Sequence, residues 1–164
     1  TVLIQGAGGG VATALIQLAS AAGFTVWVTS RDEAKREYAK SLGANEVFET
    51  GARLPGKVDA VMESVGEATW SHSMRSLRPG GRIVICGATS GANPPADLNR
   101  LFFLQLEVVG STMGTKAEFE SLLKFMQETG VRPQIQQTFE MADARDAYEL
   151  MINGDVRGKL VIKP

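Results

Sequence analysis

The sequence predicts an α/β fold: a doubly wound, mostly parallel sheet with helices on both faces, built as a single domain. Three observations carry this. Short apolar runs at residues 2–4, 25–29, 58–63, 82–86 and 106–110 alternate with stretches of helical spacing, which is the pattern of strand–helix–strand units. A run of small residues, Gly6-Ala7-Gly8-Gly9-Gly10, lies between the first apolar run and the first helical pattern. The predicted strand ends at Ser30-Arg31, Ser64-Val65-Gly66, Cys86-Gly87-Ala88 and Ser111-Thr112-Met113-Gly114 are likewise small or glycine-bearing. In such folds a ligand lies beyond the carboxyl ends of the strands.

In order along the chain, Leu15, Leu18, Ala19 and Ala22 recur at helical spacing and Gly23 closes that helix. Residues 25–29 are β-branched and aromatic and form the second strand. Ser30 reads as the N-cap of a helix with acids in its first turn, running to about Leu42 and stopped by Gly43. Val47-Phe48 is a short third strand. Residues 58–63 form the fourth, and Trp70, Met74 and Leu77 give the next helix one buried stripe before Pro79-Gly80-Gly81 breaks it. Residues 82–86 form a strand, 101–104 a short helical turn, and 106–110 another strand. A helix over 116–129, a strand over 136–139, a helix over 143–153 and a strand over 160–162 complete the chain.

Composition narrows the functional classes. With 164 residues, 44% of them hydrophobic, the chain can bury one sizeable core. A net charge of -1 without basic runs excludes nucleic acid and acidic membrane surfaces as partners. The single cysteine, Cys86, excludes an internal disulfide and a multi-cysteine zinc site, and points to a reducing cytoplasm. No apolar run reaches the length a bilayer requires. The sequence begins inside its first core strand without an initiator Met, which we read as the mark of a fragment of a longer protein.

The glycine run carries the chemistry. Such a loop lets backbone amides approach a diphosphate without side chains in the way, and the following helix directs its unpaired N–H groups at it. The best frame is Ala7-x-Gly9-x-x-Ala12, with Gly9 leaving room for a pyrophosphate and Ala12 small enough for close packing of helix on strand. The end of the second strand then decides which dinucleotide is held. An acid there would hold the ribose hydroxyls of NAD, but the chain has Ser30, followed by Arg31 and, one helical turn on, Lys35. Those three residues suit a 2′-phosphate, so NADP(H) is expected over NAD(H). Asp32 opposes this if its carboxylate turns inward rather than capping the helix.

The segments GAGGGVA, TSRDEAKREYAKSLGA, VDAVMESVG, LRPGGRIVICGATSG, LEVVGSTMGT and a closing GKLVIKP, in that order, resemble the cofactor half of a medium-chain dehydrogenase/reductase. They are similar to the corresponding parts of zinc-type alcohol dehydrogenases and quinone oxidoreductases. The resemblance covers essentially the whole chain and implies a Rossmann domain that binds NAD(P). It implies that Gly8, Gly9, Gly10 and Val11 hold the pyrophosphate through backbone amides, with Lys159 near it, that Val65 packs at the adenine end, and that Cys86, Gly87, Ser111 and Met113 frame the nicotinamide. It also implies a preceding catalytic domain, absent here, that carries the small-molecule substrate site and whatever zinc the protein holds. A homodimer is expected through the edge strand at 106–109 and the preceding Leu101-Phe102-Phe103-Leu104.

Within the chain itself no catalytic constellation is expected. Cys86, on an apolar strand with no histidine nearby, is not read as a nucleophile. His72, the only histidine, reads as a surface residue of a helix. The cluster Asp143, Arg145, Asp146 and Glu149 reads as a solvated helix face, and Trp27 and Trp70 as packing. Tyr38 and Tyr148 are each followed four residues on by an apolar residue, not a lysine, which argues against a short-chain reductase. The expectation is a chain that binds cofactor and does not turn over substrate. The rival classes are a non-enzymatic NAD(P)-sensing module and an S-adenosylmethionine-dependent methyltransferase, both of which would carry an acid where this chain has Ser30.

Overall fold

The computed structural model describes residues 1–154 and 156–164. Its core is a six-stranded parallel sheet in the order β3-β2-β1-β4-β5-β6. The strands are β1 (Val2–Gln5), β2 (Val26–Thr29), β3 (Glu46–Phe48), β4 (Val58–Glu63), β5 (Leu77–Ile85) and β6 (Glu107–Gly110). Helices α1 (Gly10–Ala21), α2 (Glu33–Ser41), α3 (Glu67–Ser76) and α4 (Leu98–Phe103) connect them. The strand order reverses between β1 and β4, which opens a crevice above their carboxyl ends.

Alternation along the strands creates two cores. Val2 and Ile4 of β1 join Val26, Val28, Ala12, Ile16 and Ala39 beneath α1 and α2. Leu3 points the other way and joins Val61, Trp70, Met74, Leu77 and Ile83 beneath α3. Ala12, packed where α1 crosses β1, is buried as its place in the glycine motif requires.

Local chemistry moved three boundaries. Asp32, not Ser30, caps α2: its carboxylate accepts from the Lys35 amide at 3.1 Å. Ser30 is still extended, its amide donating to the Phe48 carbonyl at 3.0 Å. Helix α3 stops at Ser76, and Leu77, whose backbone is extended, is buried in β5 and paired with Val58. The pairing then skips to Ala60 with Arg82, so Arg78 to Gly81 bulge out of the ladder with Gly80 at φ +70°.

The last third stands apart from the main sheet. Helix α5 (Lys116–Thr129) is closed by a Thr115–Glu118 capping box and ends at Gly130 in the left-handed region, yet it buries none of its residues. Strands β7 (Ile135–Glu140) and β8 (Lys159–Lys163) pair with each other in a separate parallel sheet, with α6 (Ala144–Ile152) between them. Among the described residues no helix is long and apolar enough to cross a membrane.

Candidate functional site: a glycine cradle between two lysines

The glycine loop leaves β1 through Gly6 at φ +83° and Gly8 at φ +86°, conformations that residues with a Cβ rarely adopt. Gly9 is the N-cap of α1 and supplies no side-chain cap, so the first-turn amides of the helix keep their donors for something outside it. A Cβ on Gly9 would meet nothing within 4 Å, so the loop is open on that side. Val11 stands 51% exposed next to it.

Two lysines flank this opening. The Lys35 side chain lies across Gly8, with Cδ 2.9 Å from where a Cβ would stand, and its ammonium donates to the Gly154 carbonyl at 2.9 Å. Lys159 lies against Gly10, with Nζ 2.9 Å from the corresponding Cβ position. The approach of β8 is fixed by the Gly158 amide, which donates to the Gly8 carbonyl at 2.9 Å. Uncapped helix amides, glycines without side chains and two ammonium groups together fit a diphosphate.

Next to the cradle is a cavity of about 350 Å³ whose walls include Gly6, Ser30, Arg31, Lys35, Val65 and Thr69. Val65 Cγ2 lies 3.4 Å from a Cβ placed on Gly6, so this side chain closes the floor. Ser30 is 6% exposed, and its hydroxyl accepts from the Asp32 amide at 3.3 Å. The Arg36 guanidinium donates to the Ser30 carbonyl at 2.7 Å, fixing the strand end. The Asp32 carboxylate also borders the cavity; the Lys35 amide it accepts from holds its pKa below the usual carboxylate range. A second opening, about 700 Å³, shares Asp32 and Lys35 and adds Arg157, a cation that the sequence reading did not single out.

The predicted nicotinamide residues are at the carboxyl ends of β5 and β6, side by side across the sheet. The Cys86 amide donates to the Glu63 carbonyl at 3.0 Å, and the Ser111 amide to that of Ile85 at 2.8 Å. A Cβ on Gly87 would stand 3.1 Å from the Ser64 carbonyl oxygen, so the loops after β4 and β5 approach closely there. Met113 is 97% exposed at φ +53°. Cys86 is exposed just past the strand rather than enclosed in it.

His72 is the clearest correction. It is buried, not on the surface, and both ring nitrogens are engaged: Nε2 with the Ala52 carbonyl and Nδ1 with Gln5 Nε2, each at 2.9 Å. A carbonyl only accepts, so Nε2 carries the hydrogen and Nδ1 accepts from the Gln5 amide. Trp70 packs as expected and donates to the Pro95 carbonyl, and Asp143, Arg145, Asp146 and Glu149 are solvated. Among the described residues no cluster of His, Cys, Asp and Glu suits a metal.

The sequence reading also missed Glu63. It is wholly buried without a cationic partner and accepts from the Val65 and Gly66 amides and the Thr69 and Ser73 hydroxyls. One signal was present in the sequence: β1, β2 and β4, central strands of an apolar sheet, each end on a polar residue, Gln5, Thr29 and Glu63.

Known proteins are similar to this chain in sequence and fold. The chain is 34% identical over 171 residues to an acryloyl-coenzyme A reductase of Sulfurisphaera tokodaii, covering 99% of this chain and 50% of that protein. It is 29% identical over 177 residues to an NAD-dependent alcohol dehydrogenase of Saccharolobus solfataricus, again covering 50% of it. A thermostable alcohol dehydrogenase structure from Pyrobaculum aerophilum superposes with a TM-score of 0.88 at 32% identity, covering 100% of this chain and 50% of that one. The chain thus spans about half the length of the relatives it matches. The model of the zinc-binding dehydrogenase family matches residues 10–128, from the first turn of α1 through nearly all of α5. With the glycine cradle, the strand order and that match in agreement, the chain belongs to the zinc-binding dehydrogenase family.

Proposed function

We propose that this chain is the dinucleotide-binding half of an NADP(H)-dependent medium-chain oxidoreductase that moves hydride to or from a carbonyl, alcohol or activated alkene. The hydride chemistry is the nicotinamide's; the chain binds and orients the cofactor. Gly8, Gly9, Gly10 and Val11 offer the diphosphate backbone amides, with Lys35 and Lys159 on either side. Val65 supports the adenosine, and Cys86, Gly87, Ser111 and Met113 border the place for the nicotinamide.

The choice of NADP(H) rests on one observation. At the end of β2 a buried serine, an arginine and a lysine border the adenosine-side cavity, while the neighbouring Asp32 carboxylate is engaged in capping α2. Relatives of similar identity include NAD-dependent enzymes, so family membership leaves this choice to the strand end. A charge-assisted contact contributes on the order of 1.5–3 kcal/mol, about one to two decades in affinity. Titrating NADPH and NADH against the wild type and Ser30→Asp checks it: NADPH should bind more tightly to the wild type and lose that margin in the variant. Equal or tighter NADH binding by the wild type, or an unchanged NADPH affinity in Ser30→Asp, would sink the proposal.

Catalysis is proposed to need more than this chain. The one histidine is occupied beneath the sheet, with both ring nitrogens engaged. The substrate groups, and zinc where the whole protein uses it, are assigned to a preceding domain. The same domain is proposed to cover α5, whose Phe119 and Leu123 are 58% and 49% exposed. Self-association is proposed along β6, an edge strand with Val108 and Val109 exposed and with Phe102 and Phe103 bare beside it. A reducing cytoplasm suits the single free thiol.

A further inference from the structure

We propose that Glu63 is a positioning residue for the dinucleotide site, acting through a buried polar row that ties together three of the segments forming that site. The inference rests on the cofactor-binding reading above.

On the α3 face of the sheet, Trp27, Leu3 and Val61 form an apolar row in register. One layer nearer the carboxyl edge the side chains in the same three strands become Thr29, Gln5 and Glu63, each 0% exposed. The Thr29 hydroxyl donates to Gln5 Oε1 at 2.5 Å, Gln5 Nε2 donates to His72 Nδ1 and to the Ser73 hydroxyl at 2.9 Å each, and the Ser73 hydroxyl donates to Glu63 Oε2 at 2.6 Å. Glu63 Oε1 accepts from the Val65 amide at 2.8 Å and the Gly66 amide at 3.1 Å, and the Thr69 hydroxyl is 2.9 Å from both oxygens. Four donors meet one acceptor-only group and use its lone pairs in full.

Each member of the row lies within two residues of a part of the site. Gln5 precedes Gly6, Thr29 precedes Ser30, and Glu63 sits two residues before Val65. Beyond Glu63 the two loops are tied together: the Ser90 amide and hydroxyl both donate to the Val65 carbonyl at 2.7 Å, and the Glu67 amide to that of Gly91 at 3.1 Å. The cavity wall made by Val65, Thr69 and Ser90 is therefore built outward from one carboxylate. Loops made of glycine, serine and alanine have little packing of their own, so their geometry is inherited from this row. A fully satisfied buried network of this kind specifies one arrangement.

Ser73→Ala tests this without touching the site, because Ser73 is 0% exposed on α3 and is not part of the cavity wall. Binding of NADPH and of 2′,5′-ADP is measured well below the melting temperature, beside Asp59→Asn as a control for stability loss far from the crevice. We expect Ser73→Ala to weaken both ligands about tenfold and to shift the Val65 and Gly66 amide proton resonances, while Asp59→Asn does neither. Glu63→Gln, which replaces one acceptor oxygen by a donor facing Ser73, should lose more. Unchanged affinities in a folded Ser73→Ala protein would overturn the positioning role and leave the cofactor reading standing. Failure of the wild type to bind either ligand would overturn both.

Discussion

Gly10→Ala separates the fold from the site. Gly10 opens α1 with a negative φ, so an alanine there incurs no backbone strain and favours the helix by up to about 1 kcal/mol. Its Cβ would stand 2.8 Å from Lys159 Cε and 2.9 Å from Nζ, the far end of a flexible side chain. The lysine therefore yields, and its ammonium leaves the mouth of the glycine loop. On our reading the variant keeps or slightly gains stability in urea while dinucleotide affinity falls. The contact is charge-assisted but partly solvated, so the loss lies at the low end of the usual range, about tenfold. Lys159→Ala should lose as much, and the double variant should lose no more than either alone, since both changes remove the same ammonium. The loss should also shrink as salt is raised. Isothermal titration with NADPH at two ionic strengths reads all of this. Additive losses would show that the Cβ obstructs the ligand by itself, and full affinity in Gly10→Ala would remove Lys159 from the site.

Two other predictions follow from surface features. In a chain that starts at Thr1, the Asp59 carboxyl is held down to about 2 by hydrogen bonds from the terminal ammonium and Arg78; since its folded pKa lies below the ordinary value of 3.8, its contribution to the stability of that chain is complete above that value and is lost as pH falls toward 2. Urea midpoints recorded between pH 5 and 2 should fall less steeply in Asp59→Asn, and parallel curves would refute the pairing. Phe103 is 80% exposed beside the β6 edge, so Phe103→Glu should shift a dimer mass to a monomer mass in light scattering without altering the fold; a monomeric wild type would refute the edge pairing.

Most of the fold was legible because apolar alternation and glycine stops are local signals. The strands and helices through β6 lie within a few residues of their expected places, and Ala12 packs as the glycine motif requires. What was missed depended on the third dimension. Serine and aspartate are both good N-caps, and only the pairing of the Ser30 amide with Phe48 shows that the chain is still extended there. Leu77 fits a helical stripe by spacing, yet it is buried by pairing with Val58. His72 lies among serines, which reads as polar surface until Gln5, 67 residues away in sequence, arrives at its ring. The separation of β7 and β8 from the main sheet has no local signature, because a strand's pattern does not say which sheet it joins.

The row of Thr29, Gln5 and Glu63 also explains why this sheet tolerates buried polar groups where apolar ones would pack more simply. Each such group costs free energy unless its partners are present, and here the row is satisfied almost entirely by hydroxyls and amides from α3 and the Val65 loop. Replacing such a network with well-packed apolar residues of similar volume is often neutral or stabilising, so stability alone gives no reason to keep it. Position does. The row sits one residue below the crevice, where the loops above must stay small to admit a ligand's backbone and cannot hold themselves in place by packing. Directional bonds to the Val65 and Gly66 amides fix those loops at defined angles, which a non-directional apolar contact would leave free to slide. The polar residues that end β1, β2 and β4 are thus the boundary at which the sheet stops being a core and becomes the floor of a site.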